Sequence, residues 1–176
     1  MRAALIWALS TQLVLADAGT VPDAVPETAP GLQAETFGDW AVVCGRASAD
    51  RRDSVCEITT MITAAGQTAP FARLALLPQS KRKPARLIAI LPVAVSIAPG
   101  VNFTLDSAKP GINLIYKFCA VAACFAEAEI AEEQMTIFQN RLPTGRLAFS
   151  DPNGNKIEVD VSFRGFDQAL NALLKR

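Results

Sequence analysis

Lys156-Ile157-Glu158-Val159-Asp160-Val161-Ser162-Phe163 alternates polar and apolar side chains without a break. A period of two puts Ile157, Val159, Val161 and Phe163 on one face of an extended strand and Lys156, Glu158 and Asp160 on the other. One buried face and one wet face indicate an antiparallel sheet, because a strand buried on both sides reads as an unbroken apolar run. The approach to this strand agrees. In Asp151-Pro152-Asn153-Gly154 the proline is preset for a corner and the glycine is free to take positive φ. So does its exit. Gly165 stops the strand, and Phe166, Ala169, Leu170, Leu173 and Leu174 then recur at helical spacing, the apolar stripe of a closing helix. Lys175 and Arg176 sit at its negative end.

Toward the N-terminus the same period returns. Leu147 and Phe149 alternate, as do Ile112, Leu114, Tyr116 and Phe118, then Val101, Phe103 and Leu105. Cys56, Ile58, Thr60 and Ile62 share one face, and so do Trp40, Val42 and Cys44. Phe71 to Leu77 and Leu87 to Leu91 are short apolar runs of the kind a buried strand gives. Ala131 to Asn140 breaks the alternation. Ile130, Ile137 and Phe138 fit helical spacing, with Glu132 and Glu133 where a helix dipole favours acids. The expected fold is mainly β: an antiparallel β-sandwich or barrel-like domain with a short internal helix and a C-terminal helix.

The chain has four cysteines, Cys44, Cys56, Cys119 and Cys124, and no histidine. An even count in an exported chain reads as two disulfides. Of the three possible pairings, Cys44–Cys56 with Cys119–Cys124 fits best, since each pair flanks a strand-loop-strand unit. Intervening lengths of eleven and four residues without histidine do not suit a zinc site, and no metal or other cofactor is expected. Export itself is read from the start of the chain. Met1-Arg2, an uncharged stretch from Ala3 to Leu15 and the segment Ala16-Asp17-Ala18 make a secretory signal peptide over residues 1–18, cleaved near Ala16 or Ala18. Its apolar part is shorter than the ~20 residues that span a bilayer. Pro22, Pro26 and Pro30 mark an extended linker over residues 19–35, leaving a single domain over 36–176. With 17 basic and 17 acidic residues, the zero net charge argues against bulk electrostatic binding to nucleic acid or acidic membranes and leaves room only for a local patch. No later stretch is long and apolar enough to cross a membrane, so a periplasmic or secreted, cell-surface location is expected.

Four stretches, in order, resemble the invasion-associated locus B family of bacterial envelope proteins. They are Phe37-Gly38-Asp39-Trp40 with Cys44 and Cys56; Leu91-Pro92 with Pro99-Gly100-Val101; Cys119 and Cys124 with Ala126; and Ser162-Phe163-Arg164-Gly165-Phe166 with Ala169-Leu170. The likeness spans Phe37 to Leu174. Ala94 departs from it where a glycine is expected, and Tyr116-Lys117-Phe118 is a variant lead-in to the cysteine. The resemblance implies a periplasmic or surface-associated protein, linked in pathogens to host-cell invasion, with an envelope or host-surface partner.

Catalytic patterns are scarce. Without histidine the usual Ser-His-Asp and Cys-His schemes are gone, and two bridges leave no thiolate. The alternative is a periplasmic hydrolase working with a carboxylate pair, drawn from Asp39, Glu57, Asp106, Glu127 and Glu129. Glu127 and Glu129 alternate with Ala126 and Ala128, and Glu57 with Cys56 and Ile58, as on a solvated strand face. Asp39 lies at a turn before a strand. Trp40 shares a face with Val42 and Cys44 and reads as a core anchor. The densest local charge is Lys81-Arg82-Lys83 with Arg86, a candidate contact for anionic lipid or acidic glycans. The expected function is an exported, non-catalytic envelope protein that binds a surface or a protein partner, with a role in host interaction or envelope maintenance.

Overall fold

A computed structural model describes residues 32–46, 54–78, 85–105, 110–138 and 143–176. The predicted signal peptide, the linker as far as residue 31, Lys81, Arg82, Lys83 and Asp106 lie outside the described residues. The elements are β1 (Gln33–Phe37), β2 (Trp40–Arg46), β3 (Ser54–Ile62), β4 (Ala72–Leu77), β5 (Ala85–Leu91), β6 (Val101–Thr104), β7 (Ile112–Cys119), β8 (Cys124–Ile130), α1 (Glu132–Phe138), β9 (Thr144–Ser150), β10 (Lys156–Ser162) and α2 (Phe166–Leu174).

The strands form one antiparallel ten-stranded sheet in the order β1-β2-β3-β4-β5-β8-β7-β6-β9-β10. Each strand offers one apolar face, and a single sheet can bury that face only by curling onto itself. The result is a half-barrel, the barrel-like form of the expected fold. Its concave side holds Trp40, Ile58, Leu74, Leu76, Leu87, Leu91, Phe103, Leu114, Leu147 and Val161, all 2% exposed or less. The β8–β9 connection carries α1, whose Phe138 is fully buried and stacks 6.1 Å from Phe103 and 5.7 Å from Phe166. Phe166, Ala169, Leu170 and Leu173 of α2 are buried in the same core, and the helix lies against β1, β2 and β3. Leu174, the last residue of the predicted stripe, is exposed where the helix ends.

Both bridges close antiparallel register pairs. Cys44 faces Cys56 across β2–β3, and Cys119 faces Cys124 at the tip of the β7–β8 hairpin. Sequence separations of 12 and 5 correspond to roughly 3 and 2 kcal/mol of lost chain entropy in the unfolded state.

Two readings of the sequence are corrected. The linker boundary falls earlier than residue 35, because Gln33 to Phe37 pair with Cys44 to Trp40 as β1. This strand is almost wholly exposed and gains its order from the β2 ladder, so it leaves no hydrophobic signal. Phe118 does not continue the inner face of Ile112, Leu114 and Tyr116. The β7–β8 register shifts between Tyr116 and Phe118. The extra residue turns Phe118 to the convex side, where it stacks 4.6 Å from Phe125 and is 56% exposed.

Because Leu170 is 5% exposed in this core, Leu170→Asp should lower the melting temperature severely or prevent folding, as it buries an unpaired charge. Lys175→Ala, at an exposed helix end, should shift it by less than about 2 °C. Thermal unfolding followed by circular dichroism distinguishes the two.

Candidate functional site: an aromatic clasp between the ends of the sheet

Phe37-Gly38-Asp39-Trp40 turns from β1 into β2, and Ser162-Phe163-Arg164-Gly165-Phe166 leads from β10 into α2. The two segments interlock. The Asp39 amide donates to the Arg164 carbonyl at 2.9 Å, and Trp40 Nε1 donates to the Ser162 carbonyl at 2.7 Å. The Trp40 ring is fully buried, edge-on to Phe166 at 4.9 Å and tilted against Phe163 at 5.8 Å. Arg164 grips the Asp39 carboxylate through Nε at 3.2 Å and Nη2 at 2.5 Å. Thr60 Oγ1 donates to the Asp39 carbonyl at 2.7 Å. Gly38 and Gly165 both have positive φ, 61° and 91°, and each packs against the other segment's backbone. A Cβ on Gly165 would lie 1.8 Å from the Phe37 carbonyl oxygen, and one on Gly38 would lie 2.6 Å from that of Arg164. Arg164 holds Asp39 below the ordinary carboxylate range, with help from Ser162, and Asp39 in turn raises Arg164.

Three of the acids proposed for chemistry, Asp39, Glu57 and Glu127, are held by arginines. Glu57 pairs with Arg73 at 3.1 Å and Glu127 with Arg86 at 3.1 Å, both on the convex side. Glu129 is exposed and stands opposite Arg86 in the β5–β8 register. Asp39 and Asp160 do line one cleft, of about 430 Å³, where β10 meets the ends of β2 and β3. Asp160 is bound to Arg146 at 3.5 Å, and Asp39 is shifted opposite to the raised pKa a general acid needs. A second cleft, of about 520 Å³, opens beside the start of α2 between Phe138 and Phe166. Among the described residues no cluster of three or more His, Cys, Asp or Glu side chains is arranged to hold a metal ion. Of the basic stretch, the structure places Arg86, on β5 and tied to Glu127.

The model of the invasion associated locus B (IalB) protein family matches residues 40–174, from the clasp tryptophan to the end of α2. The chain belongs to that family. The fold also matches the crystal structure of invasion associated protein B from Bartonella henselae, with a TM-score of 0.65 at 18% identity, over 81% of this chain and 96% of that one. At that identity the likeness speaks for the fold. A comparison with curated proteins finds no match.

In this IalB-family chain, the clasp segments are two of the stretches on which the resemblance rests. Sequence reading took Asp39 for a local turn residue. It does stand in a turn, but its carboxylate reaches Arg164, 125 positions away. Trp40, sharing a strand face with Val42 and Cys44, reads from the sequence only as a core anchor.

Two expectations follow. Gly165→Ala should cost about 3 kcal/mol or more, since it adds a backbone clash to an unfavourable φ. Gly154→Ala, with φ 83° but open space around it, should cost only about 1 kcal/mol. Urea titration of both variants provides the comparison. For Asp39, a depressed folded pKa means stability present above the unfolded value of about 3.9 and lost as pH falls through the folded one. The melting-temperature gap between wild type and Asp39→Asn should therefore narrow below about pH 4. A constant gap down to about pH 2 would show that the carboxylate charge contributes nothing.

Proposed function

We propose that this protein is an exported, non-catalytic member of its family that works at an envelope or host surface, with residues 1–18 as a cleaved signal peptide. Two disulfides fit an exported protein, and among the described residues no helix is long and apolar enough to cross a membrane. The observation that carries binding rather than turnover is the engagement of Asp39, Glu57 and Glu127 by arginines. A carboxylate whose oxygens are engaged by a guanidinium is a poor nucleophile, and Asp39, held below the ordinary carboxylate range by Arg164, is also a poor proton donor. The four cysteines are all bridged and histidine is absent, which removes the other common catalytic groups.

The contact proposed for this function is the basic stretch Lys81-Arg82-Lys83, with Arg86 at its base. The chain is net neutral, so an attraction driven by charge has to be local. Three such cations contribute on the order of 1 kcal/mol each near an anionic membrane. Converting Lys81, Arg82 and Lys83 to glutamate should leave the melting temperature unchanged and weaken retention on phosphatidylglycerol-containing vesicles or lipopolysaccharide. High salt should reproduce the loss. Equal retention of wild type and triple variant would remove this stretch as the site.

A further inference from the structure

Three connections leave the sheet side by side at one end. Ile62, Ala72, Leu91 and Cys124 are successive neighbours across β3, β4, β5 and β8. From them run the β3–β4 connection (63–71), the β5–β6 connection (92–100) and the β7–β8 tip (120–123). None of the three contains Asp, Glu, Lys or Arg. Their neighbourhood is direct: Met61, Pro70, Ile90, Pro92, Ala122 and Ala123 line one cleft of about 290 Å³, together with Arg73, which is paired with Glu57. The tips are aliphatic and outward. Val121 is 101% exposed, Ile97 55% and Val93 52%. Below Val121, the bulge in β7 sets Phe118 and exposed Lys117 as a collar, with Phe118 stacked on Phe125.

We propose that this uncharged rim docks on a phospholipid bilayer, inserting Val121, Val93 and Ile97 into the interface of zwitterionic lipid. Aliphatic side chains projecting from two connections, Val93 and Ile97 on one and Val121 on the other, offer little flat area to a protein, but each can enter lipid individually. The three connections carry no charge of their own, so a charge-desolvation cost falls only on their neighbours: Arg73, paired with Glu57, and Asp151, beside the Ser150 carbonyl that accepts from the Ser96 amide. An aromatic ring with a lysine one level down matches the interface, where the ring lies among headgroups and the ammonium reaches phosphate. The Cys119–Cys124 bridge holds Val121 on a short closed hairpin, so little is lost in ordering the tip on contact. This rim shares with the function proposed above only the premise of an envelope surface; location, lipid charge and salt response all differ.

The test is retention of the full exported chain on phosphatidylcholine vesicles. Wild type should be retained, and should stay retained at about 0.5 M salt, where the Debye length is only ~4 Å. Val121→Asp combined with Val93→Asp alters exposed positions, so the melting temperature should hold while retention falls about tenfold or more. The triple glutamate variant at Lys81, Arg82 and Lys83 should still be retained on phosphatidylcholine. Failure of wild type to bind phosphatidylcholine, or undiminished retention of the double aspartate variant, overturns the rim. If wild type binds only anionic vesicles and salt releases it, the rim falls and the basic stretch stands. Salt-resistant retention on phosphatidylcholine that only the double aspartate variant loses supports the rim, and the basic stretch then stands or falls on the anionic vesicles alone.

Discussion

Trp40 is the point at which a curled sheet becomes a closed core. It opens β2, near one end of the sheet, yet its indole N–H bonds to the last residue of β10, at the other end. A half-barrel left open would expose its concave apolar lining. The clasp prevents this by joining edge to edge without a continuous ladder. Two glycines let the backbones touch, a buried ring fills the space behind them, and an arginine–aspartate pair seals the outside. The parts depend on one another. A side chain at Gly165 would push Phe37 away, which would withdraw the Trp40 ring from Phe166 and break the Asp39 amide bond together. Cooperativity of this kind is expected when ring packing and backbone hydrogen bonds share the same few residues.

What the sequence discloses follows the same logic. Inner-face alternation is strong because burial enforces it, so the core strands and both helices can be read from period alone. Trp40 and Leu170 were legible as core for that reason. Where order comes from partners, the sequence is quiet. β1 is exposed along nearly its whole length and exists because β2 offers it a ladder. The bulge at Lys117 is one extra residue, and a period-two pattern read through it puts Phe118 on the wrong face. Asp39 and Arg164 meet only because the sheet curls, and nothing local to either residue foretells it. The glycines of the clasp look like ordinary turn glycines until the opposing carbonyl is seen.

Charge in this protein is used chiefly to neutralise itself. Arg73 with Glu57, Arg86 with Glu127 and Arg146 with Asp160 sit on the sheet's solvated side, and Arg176 at the end of the chain pairs with Glu35 on β1. Individually such exposed pairs add little stability. Their larger effect is to hold the convex surface near neutrality and to guard the edges. β1 and β10 are the edge strands, and the charged Glu35, Lys156, Glu158 and Asp160 discourage further strand pairing there. Among the described residues these pairs cancel charge locally, which is why connections without a charged residue stand out.

The two unusual surfaces belong to opposite ends of the same strand. The chain enters β5 at Ala85, just after the basic stretch, and leaves it at Leu91, beside the uncharged rim. Seven residues of strand at ~3.3 Å each set Ala85 roughly 20 Å from Leu91, which is over two Debye lengths at physiological ionic strength. A charge at the Ala85 end of β5 is therefore largely screened at the Leu91 end. The stiffness of the curled, hydrogen-bonded sheet fixes the distance between those two ends of β5.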